Sequence, residues 1–258
     1  MAIHPTAIVA AGARLDPSCE IGPYAVIGPE VKLGPGTTVG AHAVIEGDTE
    51  LGAGNRVFPH AVLGQIPQDL KYRGERTRIV IGDRNQFREF VTVHVGTTGG
   101  GGVTRIGSDC LFMASSHVAH DCTVGDRCIL ANSVPLAGHV TLEDHVILGG
   151  LSGVHQFTRI GRFAFSAAGS VIVQDVAPYC MVQGDRACVS GVNTTGLQRS
   201  GFSEEQLGRV KDAYRLVFRQ KLGLREACQQ LRAEHGGHPE IDHLLAFLDG
   251  VGERGLVR

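Results

Sequence analysis

The chain has few of the large aromatic side chains that usually fill a protein core. It contains no tryptophan, and aromatic residues make up only 5% of its 258 residues, whereas glycine occurs 36 times. This composition is too poor in large side chains for an ordinary β-sandwich and, with 43% hydrophobic residues, too rich in aliphatic ones for disorder. A repetitive, tightly wound β structure fits these amounts better.

Three further absences narrow the class of protein. A formal net charge of -2 provides no overall basic field, which argues against nucleic acid as a partner. No run of about 18 apolar residues is present, and no charged segment leads into an apolar one at the N-terminus. We therefore expect no stable membrane insertion and a cytoplasmic location. The seven cysteines form no C-x-x-C pair, which argues against a zinc ribbon or a thioredoxin-like site.

A six-residue repeat of aliphatic residues runs through most of the chain. Eleven aliphatic positions from Ile3 to Leu63 follow one another at intervals of six without a miss, and the same register resumes at Ile81. After a glycine-rich stretch the register shifts by one residue and continues from Ile106 to Ile172. No amphipathic helix has this period, whereas a hexapeptide repeat is a signature of a parallel β-helix.

The repeat and its interruptions predict the domain organisation. Residues 1–190 are expected to form a β-helix in which each coil holds three hexads, with excursions near 64–80 and 94–105 where the register breaks. Residues 191–258 are expected to form a small α-helical domain. A capping box beginning at Ser203 starts its first predicted helix, at roughly 203–220, and two more helices follow at Leu224 to about His235 and Pro239 to about Asp249.

Histidines and a carboxylate interrupt the scaffold at one place. His117, His120 and Asp121 fall within five residues, and a coil of eighteen residues stacks Gly138 on His120 and His139 on Asp121. General-base catalysis needs an imidazole near an acceptor hydroxyl and a donor facing the developing oxyanion. His120 and the Gly138 amide meet that description. Imidazoles from neighbouring coils could instead hold zinc, which is a second interpretation of this cluster.

Six motifs carry a more specific signal. They are Gln68-Asp69-Leu70-Lys71-Tyr72; Ile81-Gly82-Asp83-Arg84-Asn85; the stretch from His117 to Gly125; Leu136-Ala137-Gly138-His139-Val140; Val154-His155-Gln156-Phe157; and Gly191-Val192-Asn193 followed by Arg199 and Gly201-Phe202-Ser203. Together they resemble the UDP-N-acetylglucosamine O-acyltransferases of lipid A biosynthesis. The resemblance implies a left-handed β-helix and a homotrimer with active sites between subunits. It also implies transfer of a 3-hydroxyacyl group from acyl carrier protein to the 3-hydroxyl of UDP-N-acetylglucosamine.

The resemblance assigns roles to individual residues. His120 matches the general base, Asp121 the carboxylate that orients it, and the Gly138 amide the oxyanion donor, while Ala168 matches the position that limits acyl-chain length. The expected substrate contacts are Gln68, Asp69, Lys71, His117, His139, His155, Gln156, Asn193 and Arg199. No metal and no resident cofactor are implied, because the phosphopantetheine thioester arrives with the carrier protein.

Departures from the family pattern and rival functions complete the expectations. Val95, Thr195 and Ser200 replace residues usual in the family, and they concern nucleotide and carrier contacts rather than the reaction. An N-acyltransferase of the same pathway would carry an extra N-terminal uridine-binding domain, whereas here the repeat begins at Ile3. A zinc enzyme resembling γ-class carbonic anhydrase and a non-catalytic β-helix are the two remaining candidate functions. The residues alone do not choose between a 3-hydroxyl and a 3-amino acceptor.

Overall fold

Short strands make up most of the computed structural model, which describes residues 2–258. In chain order the strands are β1 Ala2–Ile3, β2 Ile8–Val9, β3 Arg14–Leu15, β4 Glu20–Ile21, β5 Val26–Ile27, β6 Lys32–Leu33, β7 Thr38–Val39, β8 Val44–Ile45, β9 Asp48–Leu51, β10 Arg56–Val57, β11 Val62–Gln65, β12 Arg78–Ile81, β13 Gln86–Phe87, β14 Thr92–His94, β15 Val103–Ile106, β16 Leu111–Phe112, β17 His117–Val118, β18 Thr123–Val124, β19 Ile129–Leu130, β20 Pro135–Leu136, β21 Thr141–Leu142, β22 Ile147–Leu148, β23 Gly153–Val154, β24 Arg159–Ile160, β25 Phe165–Ser166, β26 Val171–Ile172, β27 Cys180–Gln183 and β28 Cys188–Val192. The helices are α1 Thr194–Arg199, α2 Glu204–Phe218, α3 Leu224–His235 and α4 Pro239–Asp249, with one 3-10 turn at Thr98–Gly100.

Every third strand joins the same sheet, so the chain winds into a triangular prism. The first sheet runs through β1, β4, β7 and onward to β27 and β28, the second from β2 to β26, and the third from β3 to β24. Pairing between coils is parallel, and Ile3 lies beside Ile21 while Leu15 lies beside Leu33, an offset of eighteen residues. The architecture is the predicted left-handed parallel β-helix followed by a small helical region.

The core lies inside the prism and follows from the hexapeptide period. The second residue of most two-residue strands points inward and is buried, as in β7, β19 and β21. Equivalent side chains stack coil on coil, and the rings of Phe87 and Phe112 stack at 4.8 Å between centroids. Apolar burial contributes roughly 25 cal/mol per Å² of area removed from water, so this continuous column is the main stabilising element.

Strand pairing narrows both excursions relative to the expected bounds. Gln65 still pairs with His94, and Arg78 pairs with Val103, so the first excursion spans 66–77 rather than 64–80. The second spans 95–102 rather than 94–105, because β14 and β15 extend into its ends. Each difference arises because backbone hydrogen bonding continues past the last residue that fits the aliphatic repeat.

The region after the repeat also contains structure that its turn-rich sequence did not indicate. β27 and β28 form an antiparallel hairpin at the end of the first sheet. The short helix α1 follows, with Asn193 as its N-cap accepting from the Gly196 amide. The helix predicted at 203–220 is Glu204–Phe218, and the Ser203–Gln206 capping box is present.

The helical region packs against one corner of the prism, where the third sheet turns into the first. The Phe163 ring meets Phe202 edge to face at 5.3 Å, and the Tyr179 hydroxyl donates to the Glu240 carbonyl at 3.1 Å. His243 of α4 reaches Glu143 of the β-helix at 2.8 Å. Within residues 2–258, no helix has the length and apolar character needed to cross a bilayer.

Candidate active site

The stacking predicted for the histidine motif is present at the corner between the second and third sheets. The His139 amide donates to the His120 carbonyl at 3.0 Å, which sets the two coils in register. Asp121, His139 and Phe157 all have a φ close to +60°, the left-handed region that non-glycine residues rarely adopt. The His139 and Phe157 rings stack at 4.4 Å, so this column of side chains projects from the corner as one group.

The imidazole of His120 is held by the neighbouring carboxylate. His120 Nδ1 lies 2.8 Å from Asp121 Oδ2, and the Asp121 side chain has no exposed area. A carboxylate oxygen can only accept, so Nδ1 donates, and in the neutral imidazole Nε2 then keeps its lone pair. That tautomer is the one a general base requires.

The second excursion supplies contacts to this pair that sequence analysis missed. Thr97 donates to Asp121 from both its amide, at 2.8 Å, and its hydroxyl, at 2.6 Å. The Asp121 amide in turn donates to the Thr104 hydroxyl at 2.9 Å. The only signal in the sequence was the glycine run between Thr98 and Val103, which indicates a close approach of backbone but not to which residue.

Gly138 leaves room for the imidazole. A methyl group built at Gly138 would lie 2.6 Å from Cε1 and 2.7 Å from Nε2 of His120, well inside van der Waals contact. Within residues 2–258 the Gly138 amide donates to no backbone acceptor. Gly138, whose amide has no backbone acceptor within residues 2–258, therefore lies beside the His120 ring. An oxyanion donor has to lie close to the base in this way.

Burial keeps the surrounding imidazoles neutral. The pKa of His94 is lowered to about 4, mainly by burial and in smaller part by its neighbours His117 and His120. Burial also lowers the pKa of His117, whose Nδ1 lies 2.7 Å from the Thr92 hydroxyl. Burial lowers the pKa of His139 as well, although the nearby charges of Asp121 and Asp69 oppose the shift. Near pH 7 these three side chains act as hydrogen-bonding groups rather than as cations.

A cleft runs along the outer face of the second sheet beside His120. Its volume is about 390 Å³, and its polar wall includes Gln68, His94, His117, His120 and His155. Pro135, Val154, Val171 and Ile172 supply an apolar wall. The cleft thus combines a polar end at the candidate base with an apolar continuation toward the last coils.

The remaining predicted contact residues fall into two groups. Asp69 lies close enough to His139 to raise its pKa. Lys71, His155 and Gln156 are exposed, and His155 lines the cleft.

Two others lie elsewhere in the chain. Asn193 is buried in the α1 cap and donates to the Phe163 carbonyl at 2.9 Å, and Arg199 is exposed at the end of α1. These two residues therefore belong to the corner that carries the helical region, not to the cleft on the second sheet.

The departures from the family pattern have different surroundings. Val95 is buried in the core, where a methyl group built at Gly47 would touch its Cγ1 at 3.4 Å. Thr195 and Ser200 are exposed on and just after α1. Ala168 is exposed at the turn between β25 and β26, three residues before Val171 of the cleft.

His120, Asp121 and His139 form the only group of potential metal ligands among residues 2–258, with ligand atoms within 4.8 Å of one another. Both Asp121 oxygens already accept hydrogen bonds from Thr97, and Oδ2 also accepts from His120. A metal ion would have to replace these bonds. The donor set therefore fits a hydrogen-bonded dyad better than a ligand triad.

Comparison with known proteins identifies the family to which this chain belongs. A model described as bacterial transferase hexapeptide matches residues 12–47 and 104–134, and a model for domain 2 of UDP-N-acetylglucosamine O-acyltransferase matches residues 175–257. The hexapeptide repeat and the C-terminal region thus define an acyltransferase of the hexapeptide-repeat class. A UDP-N-acetylglucosamine O-acyltransferase of Anaeromyxobacter dehalogenans is 68% identical over 100% of both chains, and one of Myxococcus xanthus is 57% identical over 99% of each. This chain belongs to the UDP-N-acetylglucosamine O-acyltransferase family.

Solved structures agree over the whole chain. The enzyme of Moraxella catarrhalis has a TM-score of 0.97 at 43% identity, with 100% of both chains covered. That of Acinetobacter baumannii has a TM-score of 0.96 at 42% identity, with 99% of each covered. The similarity includes the helical region as well as the β-helix.

Proposed function

We propose that this enzyme transfers a 3-hydroxyacyl group from acyl carrier protein to the 3-hydroxyl of UDP-N-acetylglucosamine, the first step of lipid A biosynthesis. Its relatives are named for an acyl carrier protein donor and a UDP-N-acetylglucosamine acceptor. The observation that carries the mechanism is the 2.8 Å contact between His120 Nδ1 and Asp121, with Gly138 packed against the His120 ring.

In the proposed reaction, His120 Nε2 accepts the proton of the sugar hydroxyl as its oxygen attacks the thioester carbonyl. The tetrahedral oxyanion accepts a hydrogen bond from the Gly138 amide, and Asp121 stabilises the imidazolium that forms. Collapse breaks the carbon–sulfur bond. The phosphopantetheine thiolate then takes the proton from His120, which restores the neutral base. No resident metal or cofactor takes part in this sequence.

Substrate recognition is proposed to involve two subunits. Gln68, Asp69, Lys71, His117, His139, His155 and Gln156 would contact the sugar nucleotide and phosphopantetheine from the subunit that carries the cleft. Asn193 and Arg199 lie at another corner of the prism, so in this proposal they serve the cleft of a neighbouring subunit. The assembly would be a homotrimer of enzymes acting in the cytoplasm.

The outer face of the first sheet supports such an assembly. The outward residues Leu111, Ile129, Ile147 and Phe165 form a partly exposed apolar row on neighbouring coils. In a trimer with parallel prisms, this row stands at the height of the cleft on the next subunit. It would form the second wall against which an acyl chain packs.

Replacement of the base tests the proposal. His120→Ala should lower the rate of acyl transfer by about 10² to 10⁴ without lowering the thermal unfolding midpoint, because the ring contributes nothing to the aliphatic core. The exposed His238 at the start of α4 offers the control, and His238→Ala should leave the rate unchanged. Activity of His120→Ala close to that of the wild type would refute the assignment.

Separate assays distinguish the rival functions. Products from a panel of acyl carrier protein thioesters and UDP-sugars, identified by mass, distinguish a 3-hydroxyl from a 3-amino acceptor. Metal analysis of the purified protein, with carbon dioxide hydration as a second assay, tests the zinc function, for which His120, Asp121 and His139 are the candidate ligands. Absence of every activity would favour a non-catalytic scaffold.

A further inference from the structure

The second excursion folds back onto the candidate active site, where one of its side chains, that of Thr97, contacts Asp121. Thr97 is 8% exposed, and its amide and hydroxyl bind the two different oxygens of Asp121. Oδ2 thus accepts from both the Thr97 hydroxyl and His120 Nδ1. The carboxylate is held at both oxygens, so rotation about its terminal torsion would break at least one charge-assisted hydrogen bond.

The glycines of the excursion serve this contact. A methyl group at Gly100 would overlap Asp121 Cγ, and one at Gly96 would lie 2.8 Å from Oδ1. The Gly100 and Gly102 amides donate to the Thr97 carbonyl at 3.0 and 2.8 Å, which closes the loop on the same residue. Only a chain without side chains at these positions can bring Thr97 this close to the carboxylate.

His139 could compete with His120 for Asp121 Oδ2, which makes the bond from the Thr97 hydroxyl to that oxygen important. His139 Nε2 lies 3.9 Å from the same Asp121 Oδ2, so a small movement of the carboxylate would bring the two atoms within hydrogen-bond distance. If Oδ2 were released, the carboxylate could pair with His139 in place of His120. His120 would then lose the acceptor that fixes its ring and its tautomer.

We propose that Thr97 is a positioning residue for acyl transfer, acting through Asp121 to hold His120 as the Nδ1–H tautomer aimed at the acceptor hydroxyl. This inference rests on the proposed role of His120 as the base. Thr97 touches no substrate in this account. Its removal should therefore change the chemical step rather than substrate binding.

Three variants separate positioning from a structural role. Thr97→Val and Thr97→Ala should lower kcat by about tenfold, the equivalent of one charge-assisted hydrogen bond, while KM for both substrates changes by less than about twofold. Thr97→Ala is included because it adds no methyl group beside the carboxylate. Thr97→Ser restores the hydroxyl and should restore most of the rate. Thr123→Val, on an exposed strand position, is the matched control.

A double-mutant cycle identifies the path of the effect. In an Asp121→Asn background, loss of the Thr97 hydroxyl should cost less than about twofold in kcat, since the carboxylate on which it acts is gone. An equal loss in both backgrounds, a change confined to KM, or failure of Thr97→Ser to restore the rate would overturn the proposal.

Nitrogen NMR of labelled imidazoles tests the same point without the reaction. The wild type and Thr97→Ser should show His120 protonated at Nδ1, and Thr97→Ala should show a mixture of tautomers. An unchanged His120 signal in Thr97→Ala would refute the positioning role and leave the proposed reaction intact. Full activity of His120→Ala would instead remove the proposed base, so the two failures are distinguishable.

Discussion

The close approach of Gly138 to the His120 ring leads to a sharp prediction for Gly138→Ala. The three atoms nearest to the added methyl group all belong to that ring, at 2.6, 2.7 and 3.2 Å. Carbon atoms prefer separations of about 3.5 to 4.0 Å, so the ring must retreat by roughly 1 Å. Asp121 holds Nδ1 at 2.8 Å, and the retreat therefore disturbs that bond as well. A displacement of this size typically costs about 10² in rate, and we expect that loss in kcat.

The Gly138→Ala substitution should leave the fold unchanged. Gly138 is absent from the residues with positive φ, and the methyl group meets a side chain rather than backbone, so the coil can keep its shape. Acyl transfer from a purified carrier thioester and the thermal unfolding midpoint would be measured together. Gly208→Ala, where a methyl group meets nothing within 4 Å, is the control and should retain full activity. A folded Gly138→Ala enzyme with a nearly normal kcat would show that the ring position is not critical.

Two further predictions concern the chain-length limit and the pH dependence of stability. Each buried methylene contributes roughly 0.8 kcal/mol, so a steric stop that excludes two of them changes the preference more than about tenfold. Ala168→Gly should therefore lengthen the preferred acyl chain and Ala168→Met should shorten it. Competition between carrier thioesters of different length measures this preference, and an unchanged preference in both variants would show that the stop lies elsewhere. The pKa of His94 is lowered to about 4, mainly by burial. As the pH falls from about 6.5 toward 4, His94 is therefore protonated in the unfolded chain before it is protonated in the folded one. The unfolding free energy should fall as the pH drops through that window, and His94→Gln should reduce the slope seen in denaturant titrations. The buried His117 and His139 should account for part of the slope that remains.

The fold could be predicted because one physical rule repeats in every coil. A buried aliphatic at every sixth residue, such as Leu130, Leu136 and Leu142, sets the strand, the corner and the stacking offset at once. The stacking of Gly138 on His120 follows from the same offset. Composition alone would not have fixed the handedness, which came from resemblance to known proteins and is confirmed by comparison with them.

The period predicted where the excursions leave the β-helix but not which residues they contact. It did not predict the hairpin, because the pairing of β27 with β28 does not follow the period. Thr97 binds a residue 24 positions away through a loop whose path depends on glycine backbone rather than on apolar side chains. The α1 helix is short and depends on a cap by Asn193, so it lacks the long periodic face that identifies a helix in sequence. The Thr97 contact and the α1 cap both depend on hydrogen bonds that the aliphatic period does not specify.

The proposed dyad of His120 and Asp121 shows how a corner differs from a strand. Neighbouring residues in a strand point to opposite faces, so His120 and Asp121 could not meet if the chain were extended there. The φ of +60° at Asp121 turns the chain at the corner and brings its carboxylate back to Nδ1 of the preceding residue. The same left-handed conformation at His139 and Phe157 stacks a wall beside the dyad. The sharp corners that close each coil therefore also create the geometry in which adjacent residues can act as a base and its orienting carboxylate.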